Sequence, residues 1–243
     1  LIGPVLERTG LSWAFYGCLI GLAATWIVAT RLPMNIVTGA RHAYTAGLGL
    51  LARNGRFLLL LLAAIVFGMT IGVLLSYQFL YLAELGAGET VMALSLTMAT
   101  LSEIPFWFIS AGLLRRLGTT KMIALALGAA TLRNLAMGAM GDPLLALPIN
   151  LLHGPSFAML WSAGVADADA AAPPGLGATA QGLFSGMMFG LGGALGGFIG
   201  GPAAAAIGYG QLFTLLGWLT AGMLVLFVGV RLGPRLARRP AKV

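Results

Sequence analysis

Residues 170–230 read AAAPPGLGATAQGLFSGMMFGLGGALGGFIGGPAAAAIGYGQLFTLLGWLTAGMLVLFVGV, 61 residues without a charged side chain. About 20 apolar residues cross the hydrocarbon core of a bilayer, so this stretch is too long for one crossing. Gly200-Gly201-Pro202 and Gly208-Tyr209-Gly210 divide it, which predicts spans at roughly 176–201 and 211–230. Upstream, the charges mark off five more: 9–30, 57–83, 90–114 with Glu103 inside it, 122–141 with Arg133, and 143–166 with His153. The predicted fold class is therefore an all-α polytopic membrane protein of seven transmembrane helices. Composition agrees. Of 243 residues, 59% are apolar and 9% charged, against roughly a quarter charged in a soluble domain, and the mean hydropathy is +0.94. These values exclude an ordinary soluble domain and a disordered chain. The 36 glycines follow no triplet period, which excludes collagen.

The basic residues set the expected orientation. Arg31, Arg41, Arg53, Arg56, Arg115, Arg116, Lys121, Arg231, Arg235, Arg238, Arg239 and Lys242 fall on one set of loops, and only Arg8 on the other. Loops rich in Lys and Arg stay in the cytoplasm, which places the linker and the C-terminus inside. The same rule accounts for the net charge of +7, so no nucleic acid partner is expected. Cys18 is the only cysteine, and no Cys/His cluster has metal-ligand spacing. Neither a metal nor a cofactor is expected.

A repeat refines the organisation. Gly3-Pro4, Gly10 and Phe15 recur as Gly201-Pro202, Gly208 and Phe213, at a constant offset of 198. A parallel repeat with a basic cytoplasmic linker between its copies is how a transporter of two six-helix halves is built. The predicted domains are the end of a fifth helix plus a sixth (1–32), a cytoplasmic linker (33–56), and a six-helix half (57–243). The N-terminal half of the same transporter is the expected partner, together with the lipid bilayer.

Ionisable groups deep in a bilayer are costly and mark functional sites by default. With a rise of about 1.5 Å per residue, Glu103 lies about 20 Å from the outer end of its span, Arg133 about 13 Å and His153 about 16 Å. An acid, a fixed cation and a titratable imidazole thus share a layer near the midplane, where secondary transporters keep substrate and coupling-ion sites. Glu103, Arg133 and His153 are the expected proton-coupling residues; a structural ion pair between Glu103 and Arg133 is the plainer alternative. Tyr77, Gln78, Tyr81, Ser156 and Gln181 are candidate substrate contacts. Gly182, Gly186, Gly190, Gly193, Gly197 and Gly201 have the small-xxx-small spacing of a helix-packing face.

These motifs resemble the second half of the major facilitator superfamily, within the group that holds nucleoside:proton symporters, the 3-phenylpropionate permease and, more distantly, lactose permease. The likeness rests on Leu101-Ser102-Glu103-Ile104-Pro105, Leu114-Arg115-Arg116-Leu117-Gly118 with Lys121, Leu132-Arg133-Asn134, Leu152-His153-Gly154 with Phe157, and Ala180-Gln181-Gly182. It implies helix six plus the C-terminal six-helix bundle, in a multi-pass protein of a bacterial inner membrane. It also implies alternating-access symport of a small solute (a nucleoside, aromatic acid or sugar) with a proton, and no enzyme activity. Lactose permease carries an acid one turn after its helix-ten histidine, where Ser156 stands here, so proton carriage falls to Glu103. A non-transporting membrane subunit, a degenerate transporter fragment and a seven-helix receptor are the competing readings.

Overall fold

The computed structural model describes residues 12–31 and 41–236, and apart from short turns all of them are helical. Helix α1 (Ser12–Arg31) belongs to a unit of its own. Its apolar side chains, Leu19, Ile20, Leu22 and Trp26 among them, are exposed. Gly3-Pro4, Arg8, Gly10, Arg238, Arg239 and Lys242 lie outside the described residues.

The second unit starts at His42, in α2 (Arg41–Arg53), inside the stretch expected as linker. Asn54 then caps α3 (Gly55–Glu84), its side-chain oxygen accepting from the amides of Arg56 at 3.1 Å and Phe57 at 3.3 Å. Helix α4 (Glu89–Ala139) is two membrane crossings that meet at Gly118, where φ 74° and ψ 167° reverse the chain. A side chain disfavours that φ, so the glycine is what ends the first arm. The arms at 89–117 and 119–139 carry the two spans expected there.

The next crossing is interrupted. A 3₁₀ turn (Pro143–Leu145) leads into α5 (Ala146–Asn150), and α6 (His153–Ala171) restarts after Leu151-Leu152. Pro155 has no N–H to offer the Leu151 carbonyl. The amides of Leu151 and Leu152 bond three residues back, at 3.2 and 3.0 Å, which tightens the turn. Helix α7 (Gly177–Ser185), a π-helical stretch (Gly186–Gly192) and α8 (Gly193–Ile207) form one crossing. Helix α9 (Tyr209–Leu236) supplies the last. The break expected at Gly200-Gly201-Pro202 does not occur there. Pro202 removes a single donor, which a membrane helix tolerates, and the chain turns only at the other expected break, at Gly208 with φ 82°.

Helices α6 and α9 pack chiefly on α4, and α3 packs on the π-helical stretch and α8. Apolar area does not drive helices together in lipid, so close van der Waals contact must. A Cβ on Gly68 would lie 2.0 Å from the Met188 carbonyl oxygen, on Gly72 2.3 Å from that of Gly193, and on Gly196 2.2 Å from that of Met69. Backbone therefore touches backbone along this seam. The packing face expected from spacing lies elsewhere on the helix: Gly182, Gly186 and Gly190 meet nothing within 4 Å, and Gly197 only the Ser76 hydroxyl at 3.7 Å. Of that set, Gly193 presents its carbonyl to Gly72 and Gly201 faces the Tyr77 hydroxyl.

Gly72→Val should therefore lower the thermal unfolding midpoint in detergent, with an overpacking cost of about 1–3 kcal/mol. Gly190→Ala should stay within about 0.5 kcal/mol of the parent. Equal losses at both positions would contradict this assignment of the seam.

Candidate functional site

Glu103 comes from the first arm of α4, Arg133 from the second arm, and His153 from the first position of α6. The break before α6 sets His153 in its first turn, facing both arms. His153 Nε2 lies 3.1 Å from Glu103 Oε1, and its Nδ1 is hydrogen-bonded to Arg133 Nη1. A guanidinium only donates, so Nδ1 accepts and the neutral ring carries its proton on Nε2, aimed at the carboxylate. The result is a directed chain from Arg133 through His153 to Glu103. The Glu103–Arg133 ion pair is not formed; the imidazole stands between them.

Burial is graded along this chain. Glu103 is 22% exposed and His153 13%, while Arg133 is fully buried. The Nε and Nη2 atoms of Arg133 have no hydrogen-bond partner among the described residues, and neither do the side-chain amides of the buried Asn134 and Asn150. A charge held this way costs several kcal/mol of desolvation that a single imidazole contact does not return. The arrangement is a poor structural lock.

Aromatic rings cover the exposed end. Trp107 Nε1 donates to Glu103 Oε2 at 3.3 Å. Phe157 stacks on the His153 ring at 5.4 Å between centroids, with 5° between planes, and Trp107 meets Phe157 edge-on at 6.3 Å. Trp161 and Phe189 extend the row, 5.3 Å apart. The spacing of His153, Phe157 and Trp161, four residues apart on one helix face, and of Glu103 and Trp107 is a signal present in the sequence. Trp107, Trp161 and Phe189 were nevertheless not anticipated as part of the site.

The five candidate substrate contacts separate. Gln78 donates to the Ser95 hydroxyl at 3.1 Å and shares with His153 a cavity of about 160 Å³, lined also by Leu74, Leu96 and Ala99. Tyr77 instead donates to the Gly197 carbonyl at 2.5 Å, tying α3 to α8. Tyr81 donates to the Met140 carbonyl at 3.1 Å and stacks on Phe213 at 5.7 Å. Ser156 donates at 2.9 Å to the His153 carbonyl within its own helix, and Gln181 donates to Asp169 at 3.1 Å. Gln78 alone of the five lines the cavity beside His153.

Among known proteins, relatives are found across most of this chain. The "Major facilitator superfamily domain-containing protein 6-like" protein of Mus musculus is 27% identical over 221 residues, covering 91% of this chain and 37% of its own length. The Homo sapiens protein of the same name is 26% identical over 189 residues, covering 77% of the chain and 32% of itself. The chain thus spans about a third of the length of these relatives. In structure it resembles the nucleoside transporter NupG, with a TM-score of 0.69 at 19% identity, over 93% of this chain and 63% of NupG. That likeness establishes an all-helical, multi-pass membrane fold. Residues 1–215 match the MFS_1 like family, and with the six crossings of the second unit and the resembling structure in view, the chain belongs to that family of the major facilitator superfamily.

Proposed function

We propose that this chain is the second half of a secondary transporter that carries a small ring-bearing solute together with a proton by alternating access. Glu103 holds the proton. The observation that carries this reading is the chain from the partly exposed Glu103 through His153 to the fully buried Arg133. With Glu103 ionised, the pair of charges balances across the imidazole. With Glu103 protonated, the Arg133 charge is left uncompensated in the bundle, so the proton changes the free energy of the site by a large amount. A conformational equilibrium responds only to such a difference between its states. The outward- and inward-facing forms then bind the proton differently, which is what symport requires.

Trp107, Phe157, Trp161 and Phe189 support a solute with a flat ring, because ring faces attract one another at centroid distances of 4.5–7 Å. Gln78 and His153 supply the polar contacts of the adjoining cavity. Nucleosides and aromatic acids suit such a wall better than plain sugars, and the likeness in fold to a nucleoside transporter makes uridine the first solute to try. The N-terminal half supplies the facing wall, and the charge asymmetry of the loops supports a cytoplasmic linker and C-terminus in a cell membrane.

The test is uptake of radiolabelled uridine, 3-phenylpropionate and lactose into vesicles that contain the intact protein, with and without an inward proton gradient. Stimulation of uridine or 3-phenylpropionate uptake by the gradient is the expected result. Uptake that ignores the gradient contradicts proton coupling, and uptake of none of the three contradicts the solute class.

A further inference from the structure

The contacts immediately beside the acid and the imidazole belong to neither of them. Ser102 precedes Glu103 and Gly154 follows His153. The first amides of a helix have no partner within it, and Leu152, at the head of α6, offers no side-chain cap. The Ser102 hydroxyl fills that role from a different helix. It accepts the Gly154 N–H at 2.8 Å, donates to the Ala99 carbonyl at 2.7 Å, and lies 3.5 Å from the carbonyl of Asn150, just before the break. Ser102 is buried, with an exposure of 8%.

The backbones meet at the same point. A Cβ on Gly154 would lie 2.1 Å from the Ser102 carbonyl oxygen, 2.5 Å from its carbonyl carbon and 3.0 Å from the Glu103 nitrogen. Ordinary contact begins at 3.4 Å, so a methyl group here must part the two chains by 3.4 − 2.1 = 1.3 Å. Parting the backbones at this point would lengthen and misalign the Glu103–His153 contact, now 3.1 Å, and a hydrogen bond weakens with both.

We infer that Ser102 and Gly154 are the positioning pair of the proton site: the serine caps the restarted helix, the bare glycine lets the backbones touch, and together they set the Glu103–His153 hydrogen bond. This rests on the reading of Glu103 as the proton site. Each clamp residue is one position from the side chain it places. Sub-ångström placement is what such a site needs. Neither residue is assigned contact with the solute or the proton.

Infrared difference spectroscopy tests this without a known substrate. The intact protein is reconstituted in lipid and stepped between acid and alkaline buffer, and the carboxyl band lost in Glu103→Gln is thereby assigned to Glu103. Ser102→Ala and Gly154→Ala should move that band to higher wavenumber, because a carboxyl group that loses its hydrogen-bond donor vibrates faster. Ser102→Thr, which keeps the hydroxyl, should leave it in place. If Gly154→Ala yields no folded protein, Ser102→Ala and Ser102→Thr decide. A band unmoved in Ser102→Ala overturns the positioning role while the proton-site reading stands. If Glu103→Gln removes no band, that underlying reading fails and takes the positioning role with it.

Discussion

Asp167→Asn is expected to destabilise the folded bundle by about 3–5 kcal/mol, the usual cost of leaving one partner of a buried ion pair unpaired. Asp167 and Arg231 are each 8% exposed. The carboxylate accepts from Thr119 Oγ1 at 2.8 Å, from Arg231 Nη1 at 3.3 Å, and from Arg231 Nη2. The guanidinium also donates to the Arg56 carbonyl at 3.1 Å and lies over the Phe227 ring at 5.3 Å. One ion pair thus ties the head of α3, the turn between the arms of α4, the end of α6 and α9. Asparagine keeps the shape and removes the charge, so Arg231 is left buried and unpaired. The double variant Asp167→Leu with Arg231→Met should recover most of the loss, since a buried pair exchanged for apolar groups of similar volume is often neutral. Unfolding in detergent, followed for the parent and both variants, reads this directly. Parent-like unfolding of Asp167→Asn would mean that the pair contributes nothing.

Arg133→Met is expected to act in opposite directions on stability and function. Arg133 is fully buried, with two of its three guanidinium nitrogens unpartnered among the described residues. Methionine removes the desolvation penalty and keeps much of the volume. Unfolding should therefore be unchanged or shifted upward, by up to about 2 kcal/mol. Proton-driven accumulation should be lost, because Glu103 no longer has a fixed charge to answer to. His153→Leu is the informative contrast. It strands Arg133 without its imidazole and should cost at least about 1–3 kcal/mol, the penalty of a buried donor left unsatisfied. Destabilisation by Arg133→Met as large as that of His153→Leu would show the arginine to be a structural anchor.

The number and rough extent of the crossings were legible in the sequence because charges cannot stay at bilayer depth without cause. Counting residues from the span ends also brought Glu103, Arg133 and His153 to one level. Their order was not legible. That His153 stands between the other two follows from the restart of α6 at His153 and from side chains meeting across both arms of α4 and α6, and spacing along one helix carries no record of either. The same limit hid the pairing of Asp167 with Arg231, which are 64 residues apart. Glycine spacing was a good sign of close packing and a poor guide to its face. Gly190 and Gly196 look alike in sequence, yet only Gly196 has the Met69 carbonyl above it. Tyr77 and Tyr81 looked like cavity residues from their place near the outer end of the helix; their hydroxyls are taken up by the carbonyls of Gly197 and Met140.

Proton coupling through Glu103 is the claim on which the account depends. Its most direct measurement compares two modes of transport in Glu103→Gln, in vesicles that contain the intact protein and using a solute that the parent takes up. A neutral, permanently donating amide should abolish accumulation driven by an imposed proton gradient, while exchange of labelled for unlabelled solute stays within about threefold of the parent, since each tenfold corresponds to 1.4 kcal/mol of lost site free energy. Uphill accumulation undiminished in Glu103→Gln would contradict the account.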